Sequence, residues 1–318
     1  MNYGQRPFDY PIAGALPYCT KNLPFPPVQK ASSAFVSVTD SGANIQATLA
    51  AARPGWANYI EIFKSLGAEG WRWRFSDDIA NCLDTTGTGA KFAFPALGGA
   101  SYVAYAIKVA QLNGVATGRL THVNGVADTV IDNVGNSRKA IILKNEAAGS
   151  WYFYHPELTL GKLLYLEQTT LETTDSTISS VLNNSFVVSS ALPSGTYRWI
   201  VLADVPGFLG LSGSKGNSSA DGPCDNVGMT VALRIRKKRA GSGVAGYYTE
   251  DIARNPYNPV GWELNLENPA GDTNLAPISD HLSNCVKERN TYSGFNIAGD
   301  DYINIDFAAF PFRYANER

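Results

Sequence analysis

The segment GTYRWIVLADVPGF, residues 195–208, joins a polar turn to an apolar, aromatic-rich run, and a similar segment recurs near the end of the chain as DDYINIDFAAFPF, residues 300–312. Both close on a small residue, a proline and a phenylalanine. Aromatic and β-branched residues in such short runs favour β-strands, and proline ends a strand because it has no N–H to donate. YVAYAIKVA, residues 102–110, repeats the apolar run without the Pro-Phe ending, and we interpret it as a third copy.

Each of these segments ends a block of short strand patterns. The blocks begin at SAFVSV (33–38), KAIILKN (139–145) and MTVALRIRKK (229–238). Landmark residues recur about 95 positions apart, namely Trp56, Trp151 and Tyr248, and likewise Lys144 and Lys237. Because the order and the spacing are both kept, we predict that the chain repeats one β-rich unit along its length.

The composition favours an all-β fold. Of the 318 residues, 44% are hydrophobic and 11% aromatic, and 30 glycines and 17 prolines supply many turns. This balance is typical of short strands, and the polar–apolar alternation in YINIDF (302–307) indicates half-buried antiparallel ones. We predict repeated antiparallel β-sandwich units of a jelly-roll or concanavalin-like kind, with at most short helices at 42–52 and 77–83.

The chain is predicted to have three parts. Residues 1–31 carry six prolines in their first thirty positions and form an extended arm, because proline cannot donate to a sheet. Residues 32–133 form a first β-rich unit, and 134–318 a β-sandwich domain of two similar halves, 134–227 and 228–318. The arm lies against its own domain or against a neighbouring subunit, and its candidate assembly contacts are Phe8, Tyr10, Tyr18 and Phe25.

Charge gives little indication of a partner. Charged residues make up 17% of the chain and the net charge is −2, so we expect no nucleic-acid partner. The basic cluster RIRKKR (234–239) is interpreted as an edge strand that uses charge against aggregation. Contact with an acidic protein or with phosphate groups is the alternative. With no apolar run long enough to span a bilayer and no secretion-signal pattern, we expect synthesis in the cytoplasm and no membrane insertion.

No catalytic, cofactor or metal site is predicted. The three histidines, His122, His155 and His281, show no paired spacing of the kind that binds zinc. The glycine-rich stretches TTGTGAKF (85–92) and SGSKGNSSADG (212–222) do not match a phosphate-binding loop and are interpreted as turns. The adjacent carboxylates at 77–78 and 300–301 lack the further oxygen ligands of a calcium loop.

The four cysteines are far apart and form no C-x-x-C pair. We interpret them as reduced thiols, with disulfides within or between chains as the alternative. The possible disulfide cysteines are Cys19, Cys82, Cys224 and Cys285.

The aromatic residues around NPYNP (255–259) are the candidate surface-loop contacts. A proline-rich turn holds rings at the end of a sandwich, where they can meet sugars or proteins. Burial in the core is the alternative for aromatic residues on strands. The candidates are Tyr247, Tyr248, Tyr257 and Trp262.

Four ordered segments resemble a domain of uncharacterised function that recurs in the structural proteins of tailed bacteriophages. They are KAIILKNEAAGSWYFYHPEL (139–158), GTYRWIVLADVPGF (195–208), GSKGNSSADGP (213–223) and the ending SNCV, YSGFNIAG and YINIDFAAFPF (283–312). The resemblance covers about residues 135–312 and implies a concanavalin-like or SPRY-like β-sandwich. None of the shared motifs is catalytic.

The resemblance implies a non-enzymatic virion protein, made in the host cytoplasm and displayed on the particle. The expected role is a tail fibre, tail tip or receptor-binding component, and a capsid decoration or head-fibre protein is the alternative. A carbohydrate-active enzyme on a β-sandwich scaffold is a third hypothesis. The expected partners are other virion proteins in the tail or capsid, a host surface glycan or protein, and further copies of the chain, with a homotrimer favoured.

Overall fold

The computed structural model describes residues 34–243 and 245–311. Nearly all regular structure in this part of the chain is antiparallel β-sheet, which confirms the predicted all-β class. These residues contain one α-helix, α1 (Ile45–Ala52), and one 3-10 turn (Gln111–Asn113). α1 lies inside the predicted segment 42–52. The helical piece expected at 77–83 is wrong, because most of that segment forms a strand.

The strands are numbered in chain order. The first six are β1 (Phe35–Ser41), β2 (Tyr59–Ser65), β3 (Trp71–Phe75), β4 (Asp78–Leu83), β5 (Phe92–Ala93) and β6 (Ser101–Lys108). The next nine are β7 (Val115–His122), β8 (Asp128–Ile131), β9 (Lys139–Asn145), β10 (Trp151–Tyr154), β11 (Lys162–Tyr165), β12 (Thr173–Thr174), β13 (Ile178–Leu182), β14 (Ser185–Val188) and β15 (Gly195–Ala203). The last eight are β16 (Leu209–Lys215), β17 (Cys224–Asn226), β18 (Val231–Ala240), β19 (Tyr247–Asp251), β20 (Val260–Asn265), β21 (Thr273–His281), β22 (Cys285–Glu288) and β23 (Asp301–Ala308).

Three large sheets share one strand order. The first is β1-β6-β2-β3-β4-β5, the second β7-β15-β9-β10-β11-β12, and the third β16-β23-β18-β19-β20-β21-β22-β17. In each sheet the closing strand, β6, β15 or β23, lies between the first strand and the next long one. The three segments singled out in the sequence therefore contain equivalent strands, and 102–110, which contains β6 of the first sheet, is the third copy of the segment.

Strand pairing moves two of the predicted unit boundaries. β7 and β8 fall within the predicted first unit, 32–133, but β7 pairs with β15 and β8 pairs with β14. β16 falls within the predicted half 134–227, but it pairs with β23 of the third sheet. Pairing between strands so far apart along the chain cannot be read from local patterns. The predicted arm, residues 1–31, lies outside the described residues.

The three sheets pack their inner faces around one hydrophobic core. Equivalent side chains from all three sheets meet at the centre of this core, around a cavity of about 20 Å³. One set, on β2, β9 and β18, is Ile62, Ile142 and Ile235, and a second set, on the neighbouring closing strands β6, β15 and β23, is Ile107, Leu202 and Phe307. Burying each such side chain contributes about 1.5–3 kcal/mol. The face-to-face packing of sheets expected for a sandwich is thus built here from three sheets around a common axis.

Three buried lysines join the sheets in a cyclic pattern. Each lysine pairs across its hairpin with an aromatic residue, Lys64 with Trp71, Lys144 with Trp151 and Lys237 with Tyr247. Each Nζ donates to a carbonyl oxygen of its own hairpin: Lys64 to Glu69 at 2.6 Å, Lys144 to Gly149 at 2.5 Å, and Lys237 to Ala245. Each Nζ also donates to a carbonyl oxygen of a neighbouring sheet: Lys64 to Ala270 at 2.9 Å, Lys144 to Thr88 at 3.2 Å, and Lys237 to Gln168 at 2.9 Å. The lysine of the first sheet thus contacts the third sheet, the lysine of the second sheet contacts the first, and the lysine of the third sheet contacts the second. This register makes Trp71, rather than the predicted Trp56, the counterpart of Trp151.

The outer face of each sheet has a different cover. On the first sheet, Ile45 and Leu49 of α1 pack against Phe63. On the second, the small sheet β13-β14-β8 places Phe186 against Trp199, with ring centroids 6.2 Å apart. On the third, the far strands β21, β22 and β17 fold back over β18. No helix in the described residues is long and apolar enough to cross a membrane.

Candidate functional site

A surface cleft of about 410 Å³ lies where the first and third sheets meet. We call it the seam cleft. It combines carboxylates, hydroxyls, a guanidinium and an indole, and its lining residues are Thr39, Asp40, Ser41, Leu66, Ser101, Ala253, Arg254, Trp262 and Asp272. Its volume lies within the range of about 300–1,000 Å³ usual for small-molecule sites.

The first sheet forms one wall of the cleft with the ends of three strands. Ser41, the last residue of β1, pairs with Ser101, the first residue of β6. Leu66, just after β2, donates its backbone N–H to the carbonyl oxygen of Ser101 at 2.8 Å. These bonds fix the backbone of the three strand ends relative to one another.

The third sheet forms the opposite wall with the segment that leads into β21. The backbone N–H of Asp272 donates to the carbonyl oxygen of Leu66 at 3.2 Å. Gly271 lies so close to the first sheet that a Cβ atom there would be 2.5 Å from the same oxygen. Lys64 holds the preceding residues through the carbonyl oxygens of Pro269 and Ala270. The two walls are therefore fixed to each other by the cyclic contact described above.

Arg254 follows β19 and is held by a buried acid. Its Nε donates to Asp251 Oδ2 at 2.5 Å and its Nη2 donates to the carbonyl oxygen of Thr249 at 3.0 Å. Asp251 Oδ2 also accepts from the Tyr105 hydroxyl of the first sheet at 2.8 Å, and burial raises the pKa of Tyr105 well above its usual value. Arg254 Nη1 has no hydrogen-bond partner among the described residues. The Asp251 carboxylate thus largely neutralises the guanidinium in the cleft wall.

Trp262 is the exposed aromatic residue of the cleft. It lies on β20, and 37% of its surface is accessible, whereas the other five tryptophans, all within the described residues, are at most 9% exposed. An exposed indole offers a large apolar face together with a polar N–H. Trp262 is thus accessible to a ligand in the cleft.

Two carboxylates of different character line the cleft. Asp40 Oδ1 accepts from the Ser41 backbone N–H at 2.7 Å and Oδ2 from the Thr48 hydroxyl at 2.6 Å, and the bond from Thr48 lowers the pKa of Asp40. The Asp272 carboxylate accepts no hydrogen bond from the described residues. A free carboxylate with four acceptor positions can bind hydroxyl or amine groups of a ligand.

The predicted surface-loop contacts separate into two pairs. Tyr247 and Tyr248 are buried, which contradicts their prediction as surface contacts. Tyr247 occupies the position of Trp71 and Trp151, and Tyr248 packs on Phe295 with ring centroids 4.5 Å apart. Adjacent residues on a strand face opposite sides of the sheet, but the third sheet folds over its own outer face and buries both tyrosines. Tyr257 is 83% exposed outside the cleft, and Trp262 lines it.

The other predicted contacts lie elsewhere. Phe8, Tyr10, Tyr18, Phe25 and Cys19 lie outside the described residues. Cys224 and Cys285 form a disulfide between β17 and β22, which replaces the interpretation of these two as reduced thiols. Cys82 is a buried free thiol, and burial raises its pKa to about 12.

The first five residues of the basic cluster RIRKKR are buried and Arg239 is partly exposed, which contradicts the interpretation of the cluster as a charged edge strand. It lies on β18, between β23 and β19 in the sheet. Arg234 binds Asp306 through two bonds, Nε to Oδ1 at 2.7 Å and Nη2 to Oδ2 at 3.0 Å, and binds Asp225 through Nη1 at 2.8 Å. Arg236 binds Asp225 at 3.0 Å and also Glu288. Burial raises the pKa of Glu288 to about 7. We call these five residues the buried charged layer.

Sequence reasoning missed most of the seam cleft. Asp40 and Arg254 are more than 200 positions apart, and no local motif links them. The available signal was the aromatic cluster around 255–259, which led to Trp262. The remaining lining residues come together only because the first and third sheets are neighbours in the ring.

The fold and the seam cleft define an all-β protein of three equivalent sheets with a polar cleft between two of them. The model of a family described as a domain of unknown function, DUF7483, matches residues 102–311, which is more than half of the chain. The chain therefore belongs to the DUF7483 family. The match begins in β6 and includes all strands of the second and third sheets. No curated protein and no solved structure matches the chain.

Proposed function

We propose that the chain is a non-enzymatic structural component of a tailed-bacteriophage particle, located in a tail fibre, tail tip or receptor-binding assembly. The proposal rests on the ordered segments within residues 135–312, which resemble phage structural proteins. The matching segments include the closing strand of the second sheet, β15, and that of the third, β23. In this role the protein presents a binding surface rather than a reaction centre.

The three-sheet body supports a display role. Its sheets are joined by backbone-directed bonds from Lys64, Lys144 and Lys237, so the surface is carried on a rigid scaffold. Sites built on sheets hold their geometry better than sites built on loops. The seam cleft, with Trp262 exposed at the surface, is the candidate contact with the host cell.

The predicted arm supports attachment to other virion proteins. It joins the body next to Phe35, which lines a groove of about 370 Å³ together with Val36, Ala232, Ile252 and Phe310. Apolar surface next to an apolar arm favours docking on a partner subunit. In this proposal the arm binds neighbouring virion proteins and the chain assembles as a homotrimer.

The test is to locate the protein on purified particles. Mass spectrometry of intact particles is expected to detect the chain, and gold-labelled antibodies are expected to mark the tail. Gel filtration with light scattering of the purified chain is expected to give three times the chain mass. Absence from particles, together with a freely soluble monomer, would overturn the proposal.

A capsid decoration or head-fibre protein is the second candidate. The same groove beside Phe35 and Phe310 that suits docking on a tail partner also suits docking on a capsid shell. Gold label on the head rather than the tail would favour this candidate.

A further inference from the structure

We propose that the seam cleft binds a neutral glycan, with one sugar ring against Trp262 and adjacent hydroxyls bound to Asp272 and Asp40. This inference rests on the proposed role in host attachment and names the class of ligand that the cleft would bind in that role. Binding by the purified chain can nevertheless be measured without particles.

The aromatic contact comes from Trp262. A sugar ring has one face rich in C–H groups, and such a face packs on an indole while the hydroxyls point sideways toward polar groups. Trp262 is the one tryptophan of six above 9% exposure, and it lies in a cleft with carboxylates and hydroxyls. Tyr257 is also exposed, but it does not line the cleft and so is not surrounded by these polar groups.

The carboxylates supply the polar contacts. Ionised aspartate only accepts hydrogen bonds, and two adjacent sugar hydroxyls can donate to its two oxygens. Asp272 accepts from no donor in the described part of the chain, so both of its oxygens can accept from a ligand, whereas Asp40 already accepts from Ser41 and Thr48 and offers fewer free lone pairs. The hydroxyls of Thr39 and Ser101 add groups that can donate or accept.

The charge of the cleft selects against anionic ligands. Asp40 and Asp272 bring two negative charges, and the positive charge of Arg254 is largely neutralised by Asp251 at 2.5 Å. Asp272 also interacts with Arg254 and Lys64, but the carboxylates of Asp40, Asp251 and Asp272 outnumber these two cations. An acidic sugar or a sulfate group would therefore meet net negative charge at short range. We therefore infer a preference for neutral sugars over sialylated or sulfated ones.

The walls of the cleft are already in place without a ligand. Asp272 is tied to Leu66, and the residues before it are tied to Lys64. A ligand that binds preformed groups loses less free energy to ordering them. These bonds do not involve the partly exposed Trp262 ring, so its removal is expected to leave the fold intact.

The experiment uses the full-length purified chain and two readouts. An array carrying neutral, sialylated and sulfated glycans is expected to give signal on neutral glycans. Acrylamide quenching of tryptophan fluorescence then reports on Trp262, because the other five tryptophans are buried. The neutral glycan with the highest array signal is expected to protect this fluorescence from acrylamide.

Matched variants locate the binding site. Trp262→Ala and Asp272→Asn are each expected to weaken binding by about tenfold or more, which corresponds to about 1.4 kcal/mol. Tyr257→Ala, the control at an exposed aromatic residue outside the cleft, is expected to bind within about twofold of the natural chain. Circular dichroism of each variant verifies the fold, and Trp262→Phe provides a milder change at the same position.

Two results would overturn the inference. The first is no binding to neutral glycans, or binding to anionic glycans alone. The second is neutral-glycan binding that is unchanged in folded Trp262→Ala and Asp272→Asn. Neither result depends on where the protein sits on a particle, so failure here and failure of the virion proposal are distinguishable.

Discussion

Lys64 in the first sheet donates a hydrogen bond to the carbonyl oxygen of Ala270 in the third sheet at 2.9 Å. Four other carbonyl oxygens, those of Ser65, Gly67, Glu69 and Pro269, also lie within hydrogen-bond distance of Nζ, and its three N–H groups are shared among the five acceptors. Backbone bonds repeat the cyclic order: Asp272 donates to Leu66, Lys91 to Glu146 and Glu172 to Arg239. One lysine per sheet thus satisfies polar backbone groups where two sheets meet, which a purely apolar core would leave unpaired.

Replacing Lys64 by Met is expected to destabilise the fold. The variant keeps the length of the side chain but removes the three N–H donors that five carbonyl oxygens share. Unpaired acceptors cost about 1 kcal/mol or more each, and losing a buried charge offsets part of this. We expect the free energy of unfolding to fall by about 2–4 kcal/mol in urea titrations. Lys144→Met removes two carbonyl contacts and is expected to cost less.

Lys215→Met is the control for these lysine variants. The Lys215 side chain is 69% exposed and makes only a long ion pair of 3.7 Å with Asp301. Its replacement is expected to change the free energy of unfolding by no more than about 0.5 kcal/mol. Equal effects of Lys64→Met and Lys215→Met would contradict the structural role of Lys64.

The buried lysines are expected to make the protein more stable at pH 9 than at pH 8. Burial lowers the pKa of Lys64 and Lys144 to about 8 and that of Lys237 to about 7, from the usual lysine value of 10.5. Above these values the folded chain has released protons that the unfolded chain still holds. Stability therefore rises with pH until the unfolded lysines titrate. The measurement is the urea midpoint at both pH values.

Other groups limit the window for this pH effect. The pKa of Cys82 is raised to about 12 by burial, so above pH 9 the folded chain keeps a proton that the unfolded thiol releases, and stability falls. The Lys144→Met variant is expected to show a smaller rise between pH 8 and pH 9 than the natural chain. An identical rise in both proteins would contradict the assignment to Lys144.

The fold class and the repeat could be predicted because they depend on local patterns. Strand runs, turn residues and the recurring closing strand all lie within short stretches such as 195–208. The assignment of β7 and β16 to their sheets could not be predicted, because their partners β15 and β23 are about eighty or more positions away. The exact counterpart of Trp151 was missed for a related reason: only the pairing of Lys64 with Trp71 reveals it.

The candidate site was predicted only in part. Trp262 was found because it lies beside a proline-rich turn, and such turns expose aromatic rings. The alternation in RIRKKR gave the wrong environment, since charged residues on alternate positions are usually solvated. Here β17 and β22 fold over β18 and supply Asp225 and Glu288 as buried partners. A single sequence does not show which distant carboxylates will cover a strand.

Asp306→Asn is expected to be strongly destabilising. Asp306 binds Arg234 through two hydrogen bonds, and both side chains are fully buried. The amide keeps the shape but removes the charge that faces Nε and Nη2, while Asp225 and Glu288 still face Nη1. Breaking a buried pair typically costs about 3–5 kcal/mol, and we expect the lower end of this range because the other two carboxylates remain. Asp301→Asn on the same strand is the control, because Asp301 is partly exposed and its pairs are 3.6 Å and 3.7 Å long.

The control variant is expected to lose no more than about 1 kcal/mol. Thermal and urea unfolding of the two variants under identical conditions measure the difference. Similar stability of Asp306→Asn and Asp301→Asn would show that the buried charged layer does not depend on the Arg234 pair. The pair of Arg234 with Asp306 would then contribute little to the free energy of unfolding.

The number of reactive thiols is expected to be two in the unfolded, non-reduced protein and four after reduction. Cys224 and Cys285 are bonded to each other, which leaves Cys19 and Cys82. In the folded protein Cys82 is expected to react slowly, because it is buried and its pKa is raised to about 12, and only the thiolate is reactive. Alkylation with mass spectrometry counts the thiols, and peptide mapping identifies the bonded pair. Cys82→Ser provides the control by removing one thiol from both counts, whereas four reactive thiols without reductant would contradict the disulfide.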